Sequence, residues 1–271
     1  MLVIEAKKSK IKYWKELWEY RELVFFLTWR DLLVRYKQTI VGFLWHFLKP
    51  FLMLIALTFV FGRLAQLGEN KSYPYIILVI TGLLPWQFFS ATLSDCSESL
   101  VVNYQLITKI YFPRIILPLS AMFITFIDFV ITLSLLCGLF LYYNFVPPLQ
   151  IIFLPIFILL LLIFSFASGI WSAALNVRYR DCRQLIPFII QFGLYLTPVG
   201  FSSAIVPENL RLMYYLNPMV GIIDGFRYTI IGREELLYLP GLFISIGMIF
   251  MILYFGLAYY KNIEKIFADI I

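Results

Sequence analysis

Histidine occurs once in this sequence, as His46, and cysteine three times, as Cys96, Cys137 and Cys182, at no spacing that builds a metal or redox centre. A lone histidine beside Trp45 and Lys49, at the start of an apolar run, reads as a polar interface residue. No serine has the paired base or carboxylate that nucleophilic catalysis needs. A phosphate loop is missing too: Gly62 and Gly68 are followed by Lys71, but not in the register that cradles a phosphate. These absences leave no expected catalytic residue, metal or cofactor in the chain. Charge is also scarce, at 14% of residues, where a soluble domain carries about a quarter.

What fills the chain is apolar. Its 271 residues are 62% hydrophobic, with a mean hydropathy of +0.86, and no polar block is long enough for a second core. The expectation is a single all-α integral membrane domain over 1–271. Six spans are expected, at about 43–64, 75–97, 115–143, 149–176, 185–200 and 238–260. Pro50, Pro85 and Pro155 predict kinks or short helical caps near span starts. Residues 1–40 are amphipathic, with one stripe of Trp14, Leu17, Trp18 and Phe25 and a second of Phe25, Trp29, Leu32, Leu33 and Tyr36. Arg30, Asp31, Arg35 and Lys37 lie opposite, which predicts an interfacial helix. That opening is too long for the h-region of a cleavable signal. With both termini cytoplasmic, one side collects seventeen Lys and Arg and the other keeps five, which sets the orientation.

The connections carry the polar character. Residues 103–114 hold Asn103, Tyr104, Gln105, Lys109, Tyr111, Phe112 and Arg114, and residues 176–184 hold Arg178, Arg180, Asp181 and Arg183. Short basic loops serve as topogenic anchors; the aromatic and amide groups here favour a docking surface for another protein. Asp128 falls midway along the third span, where it is either paired structurally or faces a water-filled path. Asp95 and Glu98 fall near the cytoplasmic interface. In the fifth span Gln184, Phe188, Gln191, Phe192 and Tyr195 recur at spacings of three and four, with Tyr36, Phe43 and Phe47 making a comparable line. Aromatic stripes commonly pack or face lipid, but interleaved amides facing lipid are costly, and rings beside amides suit a sliding sugar chain. Residues 196–232 are apolar yet broken by Pro198, Pro207 and Pro218 and charged by Glu208, Arg211, Asp224 and Arg227. Such a stretch predicts two short re-entrant helices, hinged near Asn217 and Pro218, capping a pathway.

Four blocks carry a resemblance: RDLLVRYKQTIVGFLWHFLKP at 30–50, YQLITKIYFPRIILPLS at 104–120, NVRYRDCRQLIP at 176–187 and YLNPMVGIIDGFRYTIIG at 215–232. In this order, over nearly the whole chain, they resemble the type-2 ABC exporter permeases that move polysaccharides, in particular the O-antigen branch (Wzm-type). The resemblance implies a homodimer with a channel between its subunits, in the bacterial inner membrane. Two copies of a separate ATPase would lie beneath, binding the ATP and Mg. It implies that 103–114 contains the coupling helix riding on that ATPase, with the N-terminal helix helping the contact. It implies gate helices on the outer side at 201–236, and a lipid-linked glycan entering from the cytoplasmic leaflet. Membrane lipids are expected partners and nucleic acid is not. Alternatives are export of teichoic acid, capsule or a small amphiphile and, more remotely, an intramembrane glycosyl- or acyltransferase.

Overall fold

The computed structural model describes residues 16–37, 42–67, 73–179, 181–232, 235 and 237–264, with backbone alone over 42–46. A helical turn at 16–19 leads into α1 (Arg21–Lys37), followed by α2 (Gly42–Leu57), which runs on as a π-helical stretch over Thr58–Leu64. Then come α3 (Tyr75–Val102), the short α4 (Tyr104–Lys109) and α5 (Ile116–Tyr142). A 3-10 turn (Leu149–Phe153) opens α6 (Leu154–Arg178), and α7 (Cys182–Leu196), α8 (Glu208–Tyr214), α9 (Pro218–Ile230) and α10 (Leu239–Glu264) complete the order. The described residues contain no strand.

Among the described residues, five helical segments are long and apolar enough to cross a membrane alone: Phe47–Leu64, Tyr75–Val102, Ile116–Tyr142, Leu149–Arg178 and Leu239–Glu264. The expected span at 185–200 is instead the 15-residue α7, about 22 Å long at 1.5 Å per residue against a hydrocarbon core of about 30 Å. It stops because Pro198 pushes Thr197 into extended backbone, at φ −106 and ψ 142. Among the described residues, the region of the expected fifth span is thus occupied by this one shorter apolar helix. Of the three prolines, Pro50 and Pro85 lie inside α2 and α3, while Pro155 sits in the first turn of α6, where no helical N–H is lost.

The bundle is built around α3, which packs on α5, α6 and α9 and is buried on every side from Ile77 to Trp86. A helix apolar all round has no exposed stripe to give up, and here it serves as the central post. Without water to drive association, close backbone approach does the work in a bilayer. At the α3–α6 crossing Gly169 supplies it: a Cβ there would lie 2.8 Å from the Cys96 Cβ. Asn176 reinforces the crossing by donating to the Ser97 carbonyl at 2.8 Å. A second, smaller core gathers Val24 and Leu27 of α1, Leu100, Ile107, Phe112, Ile116, Val177 and Tyr260, so one end of the bundle is knitted separately.

α9 is not a surface flap. It is wedged among α3, α6 and α10, and only Tyr228 of its residues is even partly exposed. Gly225 allows this seating, since a Cβ there would fall 2.0 Å from the Phe157 ring.

Candidate functional site

The C-terminal turn of α1 delivers charge into the bundle. Val24 and Leu27 fix which face of α1 is buried, and Arg35 recurs on that face two turns after Leu27. Its Nη1 donates to Asp128 Oδ2 of α5 at 2.6 Å and its Nη2 to Asp95 Oδ2 of α3 at 2.6 Å. The Tyr36 hydroxyl donates to the other Asp128 oxygen, Oδ1, at 2.5 Å. The guanidinium thus spans two helices whose carboxylates would otherwise face each other. Burial alone would lower the Arg35 pKa, but the two carboxylates outweigh it and hold the group above its ordinary value, permanently charged. Burial, with the hydrogen bond to Asp128, raises the Tyr36 phenol above its usual value, so it stays a donor. Arg35 therefore turns inward, whereas the stripe pattern placed it on the polar side. Asp95 is held by Arg35 rather than merely sitting at an interface.

Arg35, Asp95 and Asp128 line a cavity of about 590 Å³ walled by α1, α2, α3, α5 and α7. Lys49, Gln87 and Gln191 and the hydroxyls of Ser90, Ser94, Thr125 and Thr132 complete its polar wall. Several hydroxyls give their proton within their own helix: Ser90 to the Gln87 carbonyl at 3.0 Å and Thr132 to the Asp128 carbonyl at 2.8 Å. Their lone pairs remain to accept bonds from a guest. Asp128 is both paired with Arg35 and part of the wall of this cavity.

The aromatic line of α7 is not part of this lining. Phe188 and Phe192 stack with centroids 5.8 Å apart, and with Tyr195 they are exposed on the single chain. Gly193 faces the other way, against the Trp86 ring. Gln191 is the α7 residue of the expected path that reaches the cavity, while Tyr36 is committed to Asp128. Phe47 is half-buried, and the Phe43 side chain lies outside the described residues.

At the opposite end, the break after α7 is stapled from within. The carbonyls of Pro198 and Val199 have left the helix, and Arg227 of α9 donates to them from Nη2 at 2.5 and 3.2 Å. Arg227 is fully buried, with Nη1 3.8 Å from Asp224 Oδ1. Asp224 also accepts from the Ser203 hydroxyl at 2.6 Å and the Tyr215 hydroxyl at 2.5 Å. Asn217 caps α9 by accepting from the Met219 N–H at 3.1 Å, and its amide donates to Thr197 at 3.1 Å. Pro218 fills the first turn of α9, Pro207 precedes α8, and Arg211 lies over the Tyr238 ring at 4.4 Å. Asp224 and Arg227 are thus buried braces within the stretch that the sequence marks as charged and broken. Sequence patterning missed Ser203, Tyr215 and the buried Glu235, which accepts from Tyr73 and Ser202, each at 2.6 Å. No local signal marks them, because their partners lie up to 162 positions away.

The knitted end presents the expected docking residues in two groups. Tyr104, Gln105, Lys109 and Tyr111 are exposed on and beside α4, and Arg178 and Asp181 are exposed between α6 and α7. Arg180 lies outside the described residues. Three residues are instead anchors. Phe112 is buried in the smaller core, and Arg114 binds the end of α10 through the Glu264 carbonyl. Asn103 donates to the Ser99 carbonyl at 2.9 Å and accepts from Arg30 at 3.2 Å.

Comparison with known proteins bears on this arrangement. The ABC-2 type transporter family matches residues 22–231. A Klebsiella pneumoniae protein named O-antigen export system permease protein RfbA is 30% identical over 252 residues, covering 92% of this chain and 95% of that protein. A second protein of that name and species is 28% identical over the same length, and one from Myxococcus xanthus is 32% identical over 219 residues, with 80% and 83% covered.

Proposed function

From the premise that the chain belongs to the ABC-2 type transporter family, we propose that it is the membrane-spanning permease of an ATP-driven exporter of lipid-linked O-antigen polysaccharide. Two copies form the channel, and two separate ATPase subunits bind and hydrolyse the ATP with its Mg. The complex sits in the inner membrane with both termini of the permease cytoplasmic. The relatives' names support the cargo. The observation that carries it is the polar cavity reached by Gln191 of α7, the same helix that carries the stacked and exposed Phe188 and Phe192. Sugars present hydroxyl edges and apolar C–H faces, so amides and hydroxyls beside ring faces hold a glycan loosely and let it advance.

In this mechanism the ATPases press on α4 and on the surface around Tyr104, Gln105, Lys109 and Tyr111. Phe112 and Arg114 pass that push into the bundle through their packed and hydrogen-bonded anchors. Arg35 ties α1 to α3 and α5, so α1 moves with the spans rather than sliding over them. A transferase acting on lipid-linked sugars would need a free carboxylate pair, yet Asp95 is engaged by Arg35.

Alanine at Phe188, Phe192 and Tyr195 together tests the path. The expected result is surface O-antigen cut to a small fraction, read by immunoblot, with the permease–ATPase complex still assembled. Normal export by the triple variant would return these rings to a packing role.

A further inference from the structure

A second cavity, of about 640 Å³, lies between α1 and the first half of α5. Contacts at its two ends give the direction of the helices. Val24 and Leu27 share a core with Ile116 and Leu117, whereas Arg35 reaches Asp128. The helices therefore run parallel, and the groove descends along α5 from its knitted end towards mid-span. The walls are apolar: Phe25, Trp29 and Leu32 on one side, and Phe123, Phe126 and Ile127 on the other. Thr28 is the one neutral polar residue of the lining, and its hydroxyl is spent on the Val24 carbonyl at 2.8 Å. Arg21 marks the mouth, its guanidinium 5.5 Å above the Trp18 ring, and no carboxylate among the described residues pairs with it.

We infer that this groove holds one acyl chain of an anionic phospholipid, with its phosphate on Arg21. The polarity runs the right way for a lipid, with a cation at the knitted end and a mostly apolar wall further in. From Arg21 to Leu32 the wall extends about 16 Å at 1.5 Å per residue. A guanidinium suits phosphate because its donors fork over two oxygens. An irregular peptide is a poor occupant, because its backbone N–H and C=O groups would find no partners along the groove. Trp18 and Phe25 are each 70% exposed on the chain, so the groove is open along its α1 edge to the surrounding bilayer. The anionic inner leaflet supplies the ligand on the topology proposed above. The inference depends on the membrane fold and not on the exported cargo.

The test uses the full permease–ATPase complex in nanodiscs of phosphatidylcholine with a minority of phosphatidylglycerol. Phe123 is replaced by p-benzoylphenylalanine, and photo-adducts are weighed by mass spectrometry. Phosphatidylglycerol adducts should exceed its share of the bilayer by about fivefold, the weight of one cation near an anionic headgroup. Arg21→Glu and the milder Arg21→Gln should return the adducts to that share, and Ile127→Trp should suppress adducts of both lipids by filling the groove. Added inorganic phosphate should leave the enrichment in place, since the acyl chain holds the lipid. Adducts in proportion to the bilayer, enrichment that survives Arg21→Glu, loss to free phosphate, or adducts to residues 1–15 or a second copy would each overturn the inference.

Discussion

Replacing Arg227 by methionine withdraws a guanidinium with no solvent exposure, two donor contacts to the Pro198 and Val199 carbonyls and an ion pair to Asp224. Removing one partner of a buried ion pair costs about 3–5 kcal/mol, because the other charge stays behind uncompensated. A buried carbonyl left without a donor costs about 1–3 kcal/mol more. Two facts pull the total down. Asp224 keeps its hydroxyl donors, Ser203 and Tyr215, and the Val199 contact is long at 3.2 Å. The expected loss is about 4 kcal/mol, close to a thousandfold in the folding equilibrium. Lysine at this position keeps the charge but cannot fork across two carbonyls and a carboxylate, so Arg227→Lys should lose roughly half as much. Adding Asp224→Asn to Arg227→Met removes the stranded charge, and the double variant should be less damaged than the sum by about 1 kcal/mol or more. Denaturant unfolding of the purified permease in mixed micelles, followed by tryptophan fluorescence, measures the wild type, the three single variants (Asp224→Asn included) and the double variant. A loss below about 1 kcal/mol for Arg227→Met, or strict additivity in the cycle, refutes the brace.

The charged node on α1 should behave differently, because Arg35 is one-third exposed. Arg35→Gln leaves Asp95 and Asp128 facing each other, at a cost of about 1–3 kcal/mol in stability, but it should sever ATP hydrolysis from export. Adding Asp95→Asn and Asp128→Asn should restore the stability; if the triple variant is as unstable as the single, charge compensation is not what Arg35 supplies. With the Tyr36 phenol raised, its bond to Asp128 is fully present below the unfolded value of about 10 and is lost only as pH climbs past its higher folded value. Export in proteoliposomes should therefore be flat between about pH 8 and 9.5, and a fall in that window, absent from Tyr36→Phe, would show the node titrating early. On the knitted end, Phe112→Ala should cost about 3 kcal/mol by emptying a core site. Lys109→Glu should leave the melting point unchanged while lowering export-linked ATPase activity, and unchanged coupling in that variant removes α4 from the ATPase contact.

What the sequence made legible follows from how local each signal is. A helix that spans a bilayer declares itself in about 20 neighbouring residues, so the ends of α5 and α6 fall within a few residues of expectation. Proline acts on its own neighbourhood as well, which is why the broken character of 196–232 and the seating of Pro218 at the start of α9 were visible. The exposed part of α4 was readable for the same reason, since aromatic, amide and basic groups crowd one short connection. Phe112 shows the limit: in the sequence it pairs with Tyr111, yet one step along the chain separates a surface ring from a core ring.

By itself, then, the sequence determined a membrane protein of long apolar helices, its polar connections and its one broken stretch, because composition, hydropathy and proline act over a turn or a span. Tertiary structure decided which charges are spent and on what. Arg35 meets partners 60 and 93 positions away, and Arg227 meets carbonyls 28 and 29 positions away. The free energy of a buried charge depends on what surrounds it in three dimensions. A charge that merely interrupts an apolar stretch in the chain can thus become a buried brace, and one that looks solvated can become the tie between three helices.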